Sequence, residues 1–375
     1  MRLEDDRTTQ RAPSAPQCVD GEAGSDIRRR AGDRSPWSRD AHCWGRPGQR
    51  QVLRSLRSGH ADLRRGREMT LRGRSVISLT SAERDVWPTP DGQPGSQWSD
   101  LSDRRIALLG DVESHIWALR RRFRQIADVS PDVRTIVQLG DLRYSSPTRV
   151  GKKVWRRGAE LVAEVDAMCR ATGVDRFLLV PGNHDWPQRL AQEFSAHPER
   201  PFRLGERVWT MPRGFRFGLA EVRCMSFGGA ASVARSTFRP DWHPSELPSE
   251  DEYRAAAAGP PVDVLFTHEA VDAGVPSVED AIASPAPTGT EAFEMEQSRW
   301  SRSWTTWLAR SVQAKRVFHG HMHVYGYGRL SDTQRVISLA PNYVRYGGGG
   351  LLDLRTLEFT LMPDHSGYSD MDFDV

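Results

Sequence analysis

The sequence predicts an α/β fold preceded by a long disordered N-terminal extension. Three observations carry this reading. From Arg104 onward, short apolar runs ending in Gly-Asp, Gly-Asp and Gly-Asn-His-Asp alternate with stretches of helical spacing. Strand, helix, strand, helix, strand at that spacing implies βαβ units and a parallel sheet. Residues 1–100, by contrast, mix Arg, Ser, Gly, Pro and Asp with neither period. They offer too little apolar burial to offset the entropy of ordering. Hydrophobic residues make up 38% of the 375, a low share that fits a chain part of which does not pack.

The elements follow in order. RRIALLGDV reads as a buried strand, and Ile116, Leu119, Phe123 and Ile126 form one helical face over 115–127. VRTIVQLGD is a second strand. Residues 151–172 put Val154, Leu161, Val165 and Met168 on one helical face, with Gly173 as the C-cap. DRFLLVPGNHD is the third strand. Residues 207–227 read as short strands between Gly and Pro turns, and PVDVLFTHEA as another buried strand. Trp300, Trp304, Trp307 and Leu308 form a helical face expected in the core. RVFHGHMHVYGYG reads as strand and loop, and 335–362 as two or three strands. Residues 88–99, rich in Pro and Gly, read as linker. The division is therefore 1–100, an Arg-rich tail and linker, and 101–375, one folded domain.

Composition excludes several classes. No run approaches the 18 apolar residues of a membrane span. MRLEDDRTTQ lacks the apolar core of a signal peptide, so the cytoplasm is the default location. Cys18, Cys43, Cys169 and Cys224 show no C-x-x-C spacing, which excludes a disulfide scaffold, a zinc ribbon and a thioredoxin motif. Residues 1–70 carry 15 Arg against 10 Asp or Glu, so the net charge of +3 belongs to the tail. The folded part has no basic balance that would favour nucleic acid. Translation from Met69 is an alternative start.

Metal-competent residues sit directly after most of the apolar runs. They are Asp111 with Glu113 and His115; Asp141; Asn183, His184 and Asp185; His268; and His321 with His323. In an open α/β sheet the strand C-termini face one edge, where ligands bind. Carboxylate, amide oxygen and neutral imidazole together suit Mn²⁺, Fe or Zn²⁺. There are more candidates than one ion needs. Two metals sharing a carboxylate make a clamp for phosphoryl displacement.

Gly110-Asp111, Gly140-Asp141, Gly182-Asn183-His184-Asp185, Thr267-His268 and Gly320-His321-Met322-His323 resemble, in order, the five blocks of the calcineurin-like metallophosphoesterases. The resemblance spans roughly 104–345. It implies a metallophosphoesterase-type β-sandwich flanked by helices, with two divalent metals at one edge. Asp141 matches the bridging carboxylate. Asn183, His268 and His321 match ligands of one metal, and Asp111 and His323 two ligands of the other. His184 matches the imidazole that assists the leaving group. The implied reaction is phosphoester hydrolysis by a hydroxide bridging the metals.

One position departs from the family, which carries His two residues after the first Asp; here that residue is Glu113. The helix register favours Glu113 as occupant, binding through oxygen. His115 reaches the ion if the loop bulges, and a weak or empty site is the third outcome. Gly-Asp-Leu-Arg-Tyr and Gly-Asn-His-Asp differ from the Ser/Thr protein phosphatase branch and point to the broader phosphodiesterase or phosphomonoesterase set. The expected partner is a small phosphoester. Asp185 is expected to orient His184 or cap the next helix, and Arg143 and Tyr144 to touch substrate or lie in a solvated loop. Residues 275–298, long and rich in Pro, Ala and acids, read as a lid. Trp186, Trp242 and Tyr325 are candidates for stacking on a leaving group or for core packing. Two other functions stand beside the hydrolase: a scaffold of weakened metal competence, and a nuclease using the Arg-rich tail.

Overall fold

The computed structural model describes residues 104–144, 149–150, 153–154, 158–185, 187–239 and 242–367. The reading of 1–100 as a tail, and the candidates Cys18, Cys43 and Trp186, lie outside the described residues.

Two mixed sheets face each other. The first contains β1 (Arg105–Leu109), β2 (Thr135–Gln138), β5 (Arg176–Leu179), β6 (Phe202–Arg203), β7 (Val208–Thr210), β14 (Gly349–Asp353) and β15 (Phe359–Leu361). Its order is β15-β14-β1-β2-β5-β7-β6, with β1, β2, β5 and β7 parallel. The second contains β8 (Phe215–Leu219), β9 (Val222–Phe227), β10 (Val264–Thr267), β11 (Arg316–His319), β12 (Gly326–Arg329) and β13 (Arg335–Ser338). Its order is β12-β13-β11-β10-β9-β8, with β9, β10, β11 and β13 parallel.

Strand period explains the layering. In β1, Ile106 and Leu108 point into the cluster between the sheets, where they join Phe217, Phe266, Phe318 and Ile337 of the other sheet. Ala107 and Leu109 point the other way, onto Ile116, Leu119, Phe123 and Ile126 of α1 (Ile116–Val129) and Leu161, Val165 and Met168 of α2 (Gly158–Thr172). Residues buried on both faces make these strands continuous apolar runs, as parallel sheets require. The second sheet is covered by α5 (Glu250–Ala257) and α7 (Ala292–Ser311), with Tyr253, Trp304 and Leu308 fully buried against Leu265 and Val317. Trp300 and Trp307 flank that cluster. The result is a β-sandwich with helices on both outer faces, as the resemblance implied.

One expectation is corrected. Val154 does not begin the second helix. It lies in β4 (Lys153–Val154), paired antiparallel with β3 (Arg149–Val150), and the helix starts at Gly158. Residues 275–298, read as a lid, carry helical structure. Pro276 starts α6 (Pro276–Ala283), and a Glu291–Glu294 capping box starts α7. Ser277 donates to the Tyr325 carbonyl at 2.8 Å, which ties α6 to the segment entering β12. The 335–362 region supplies three strands, β13, β14 and β15. Among the described residues, no helix is long and apolar enough to cross a membrane.

Candidate metal centre

The five blocks lie at the C-terminal ends of parallel strands. Asp111 follows β1, Asp141 follows β2, and Asn183 and His184 follow β5, all in the first sheet. His268 follows β10, and His321 and His323 follow β11, in the second. Hydrogen bonds cross between the sheets at this edge. The His321 N–H donates to Asp111, 3.2 Å from each carboxylate oxygen, and His268 Nδ1 lies 2.6 Å from the Leu139 carbonyl.

The tight approach explains the glycines. Gly140 has φ +97°, and a Cβ there would meet the His268 ring at 2.1 Å. A Cβ on Gly182 would meet Asp141 Oδ1 at 2.2 Å. Glu113, Asp141, Arg143, His321 and His323 all have positive φ, between 52° and 67°. Left-handed backbone at non-glycine residues costs of order 1–3 kcal/mol each and persists where surrounding structure enforces it.

Ligand atoms converge in two groups, with the atoms of each within 4.8 Å of one another. Asp141, His268 and His321 form one; Asp111, Glu113, Asp141 and His323 form the other. Asp141 is common to both. Asn183 joins the first, with Oδ1 2.9 Å from His268 Nε2. Asp111, Glu113, Asp141, Asn183, His268, His321 and His323 are thus brought to one edge. Glu113 is within the second group. His115 is not: its Nδ1 lies 3.3 Å from the Val112 carbonyl and its ring packs on Tyr343 at 4.0 Å.

Electrostatics favour cations here. Burial and the Asp141 charge push the Glu113 carboxyl up to about 7, against the opposing pull of Arg143 and His323. Burial would depress His268, but Asp141 outweighs it and lifts the imidazole to about 10. His323 rises to about 8, because its bond to Asp111, at 3.0 Å, overcomes burial. Burial opposes the charge on Asp141, yet the protonated His268 imidazole holds its pKa well below the ordinary range. Buried carboxylates are thus neutralised by borrowed protons. Hard oxygen donors with imidazoles are a donor set suited to divalent metals, so the residues fit such ions.

His184 sits beside the shared carboxylate. Its backbone N–H donates to Asp141 Oδ1 at 2.9 Å, and its Nε2 lies 4.0 Å from Asp141 Oδ2. Its Nδ1 faces two guanidiniums, Arg143 Nη1 at 3.0 Å and Arg239 Nη1 at 2.5 Å. Arg143 also pairs with Glu113 through Nε, so it is no solvated loop residue. Among the described residues, Asp185 makes no hydrogen bond to the His184 ring. Its two oxygens accept the Gly182 and Tyr144 N–H groups at 2.9 and 3.0 Å, stitching the second and third loops together. Burial and then Asp141 raise its pKa to about 6. His319 and His365 are buried outside both groups, in keeping with structural roles. Trp242 is stacked under Arg235 at 4.1 Å, and Tyr325 meets Tyr346 edge to face at 5.4 Å.

Sequence reasoning missed Ser232 and Arg239, which touch Asn183 and His184, and Glu246, which touches Ser232 and Arg239, all from the stretch between β9 and α5. Arg239 and Glu246 follow no apolar run that would mark them. A cavity of about 440 Å³ opens beside the centre, lined by Gly182, Asp185, Leu190, Phe194, Arg213 and Glu252 among others. None of the residues in the two ligand groups lines it.

No curated protein matches the chain. Among solved structures, a Thermus thermophilus protein is 14% identical, with 70% of this chain and 99% of that one covered and a TM-score of 0.42. A dimetal phosphatase from Danio rerio is 14% identical, covering 67% and 93%, with a TM-score of 0.41. A 5'-nucleotidase from Candida albicans is 12% identical, covering 75% and 55%, with a TM-score of 0.36. The family model described as calcineurin-like phosphoesterase matches residues 104–325. Two groups of metal-competent side chains at the shared edge of a β-sandwich, and a family match over most of the folded residues, lead to one conclusion: this chain belongs to the calcineurin-like phosphoesterases, metal-dependent hydrolases of phosphoesters.

Proposed function

We propose that the chain hydrolyses a small phosphoester with two divalent ions, Mn, Fe or Zn by donor chemistry. Asn183, His268 and His321 would hold one ion, and Asp111, Glu113 and His323 the other, with Asp141 shared. The observation that carries this reading is Asp141, one fully enclosed carboxylate common to both groups. When bound, such ions supply Lewis-acid polarisation of the phosphoryl group and an acidified water as nucleophile.

The chain's own residues do the rest. Asp141 ties the β2 and β5 loops together through the His184 N–H. Guanidinium nitrogens only donate, so His184 Nδ1 is the acceptor and the ring proton resides on Nε2. Burial is the largest influence on this ring. With the Arg143 and Arg239 charges it outweighs Asp141 and holds the pKa well below the usual imidazole range. His184 therefore enters neutral, with Nε2–H available to the departing oxygen as a hydrogen-bond donor that stabilises its charge. The Arg143–Glu113 pair fixes Arg143 on the same side. The division into a tail (1–100) and a phosphoesterase domain (101–375), and a cytoplasmic location, belong to the same reading.

The test is turnover of p-nitrophenyl phosphate and bis-p-nitrophenyl phosphate by metal-stripped protein with Mn²⁺ restored, beside Asp141→Asn and His184→Ala. Metal-dependent hydrolysis abolished by Asp141→Asn and cut about 10²–10⁴-fold by His184→Ala is expected. The preferred reporter divides monoesterase from diesterase. Absence of turnover with any divalent metal would overturn the reading.

A further inference from the structure

Glu246 ends the 3-10 turn Pro244–Glu246 and is fully buried. Its two oxygens serve different partners. Oε1 accepts from Arg239 Nη2 at 2.8 Å, and Oε2 accepts the Ser232 hydroxyl. Ser232 Oγ in turn accepts Asn183 Nδ2 at 2.9 Å. Arg239 continues to His184 Nδ1. One carboxylate thus stands behind both halves of the centre.

The direction of this chain of bonds has a consequence. A side-chain amide can be turned over, presenting NH₂ where its oxygen should be. An ionised carboxylate only accepts, so it commits the Ser232 proton to itself. Ser232 then offers Asn183 only lone pairs, and Asn183 must answer with its NH₂ group. Its oxygen is left facing His268 Nε2, inside the first ligand group. Second partners of this kind orient metal ligands.

We propose that Glu246 is a positioning residue for both the metal ligands and the substrate cation. Through Ser232 it aims the Asn183 oxygen at the ion. Through Arg239 it holds a guanidinium beside His184, where the phosphoryl oxygens arrive. The second half rests on the phosphoesterase reading; the first rests on metal binding alone. The buried charge of Glu246 is balanced by Arg239, which offsets the desolvation that a lone carboxylate would suffer there.

Three variants test this by calorimetric Mn²⁺ titration and steady-state kinetics on p-nitrophenyl phosphate. Ser232→Ala is expected to weaken one of two metal sites about 10- to 100-fold. Arg239→Met is expected to raise KM about tenfold or more. Glu246→Gln is expected to do both. If Ser232→Ala and Glu246→Gln titrate like the native protein, the Asn183 half is wrong. If Arg239→Met keeps the native KM, the substrate half is wrong. Should Glu246→Gln fail to fold, the other two, checked for native melting temperature, still decide each half. A native protein that binds metal but turns over nothing would sink the phosphoesterase reading while leaving the Ser232 result to judge the first half.

Discussion

His268 Nε2 lies 2.9 Å from Asn183 Oδ1, joining the loop after β10 in one sheet to the loop after β5 in the other. These are two of the atoms that would face a cation, each delivered by a different sheet. A proton competes for the same place: the His268 nitrogen is 3.4 Å from Asp141 Oδ2, and that carboxylate raises the His268 pKa to about 10.

Metal uptake must therefore displace protons. His268 at about 10 and His323 at about 8 are protonated at neutral pH, and Glu113 at about 7 is half protonated. Ligands bind metal only when deprotonated, so affinity rises with pH. Between pH 6 and 8 the apparent Mn²⁺ affinity is expected to climb, with about two protons released per chain loaded at neutral pH. Calorimetry in buffers of different ionisation enthalpy reads that number directly. A pH-independent affinity would contradict the assignment.

Glu113 stands where the family carries His, and the structure keeps it within the second ligand group. Glu113→Gln removes one anionic donor from that group alone. The expected outcome is a weakening of one ion about 10-fold or more while the other is retained. His115→Ala should leave both ions bound, since its ring is turned to Val112 and Tyr343. Stoichiometry at a fixed free metal concentration separates the two residues.

Gly140 is required twice over, by its φ of +97° and by the His268 ring that a Cβ would enter. Gly140→Ala is expected to destabilise by at least about 2 kcal/mol. Gly274→Ala is the contrast. Its φ is +61°, but the nearest atom to a Cβ there is 3.9 Å away, so only the backbone cost remains. Its expected cost is about 1 kcal/mol. Urea unfolding of the two variants measures the difference; equal losses would place the strain in the backbone alone.

Trp304 is the largest fully buried side chain, stacked on Tyr253 at 5.6 Å. Trp304→Ala is expected to cost about 3–5 kcal/mol. Trp304→Phe should cost clearly less, because it keeps most of the volume and removes an indole N–H that has no partner. Midpoints of urea unfolding check both.

The centre was legible in the sequence for a geometric reason. Asp111, Asp141, Asn183, His268 and His321 each follow a buried apolar strand, and parallel strands deliver their C-terminal residues to one edge. Arg239 and Glu246 have no such marker, and Ser232 sits past the Gly-Gly-Ala-Ala stretch that follows β9. Arg239 and Ser232 act through contacts 55 and 49 positions away, on His184 and on Asn183. Val154 shows the limit of periodicity: it fits the face of Leu161 and Val165, yet pairs with Arg149 in a short ribbon. Residues 275–298 hold helix signals within a composition rich in Pro, Ala and acids: Pro276 suits a first helical position, and Glu291 with Glu294 forms a capping box.

In the proposed function one carboxylate, Asp141, serves two ions. Counting divalent metal per chain, by elemental analysis after equilibration and desalting, tests it in native protein and in Asp141→Asn. The account predicts about two ions per native chain and loss of both affinities in the variant. Fewer than one ion on the native chain, or an Asp141→Asn protein that still holds the native number, would contradict it.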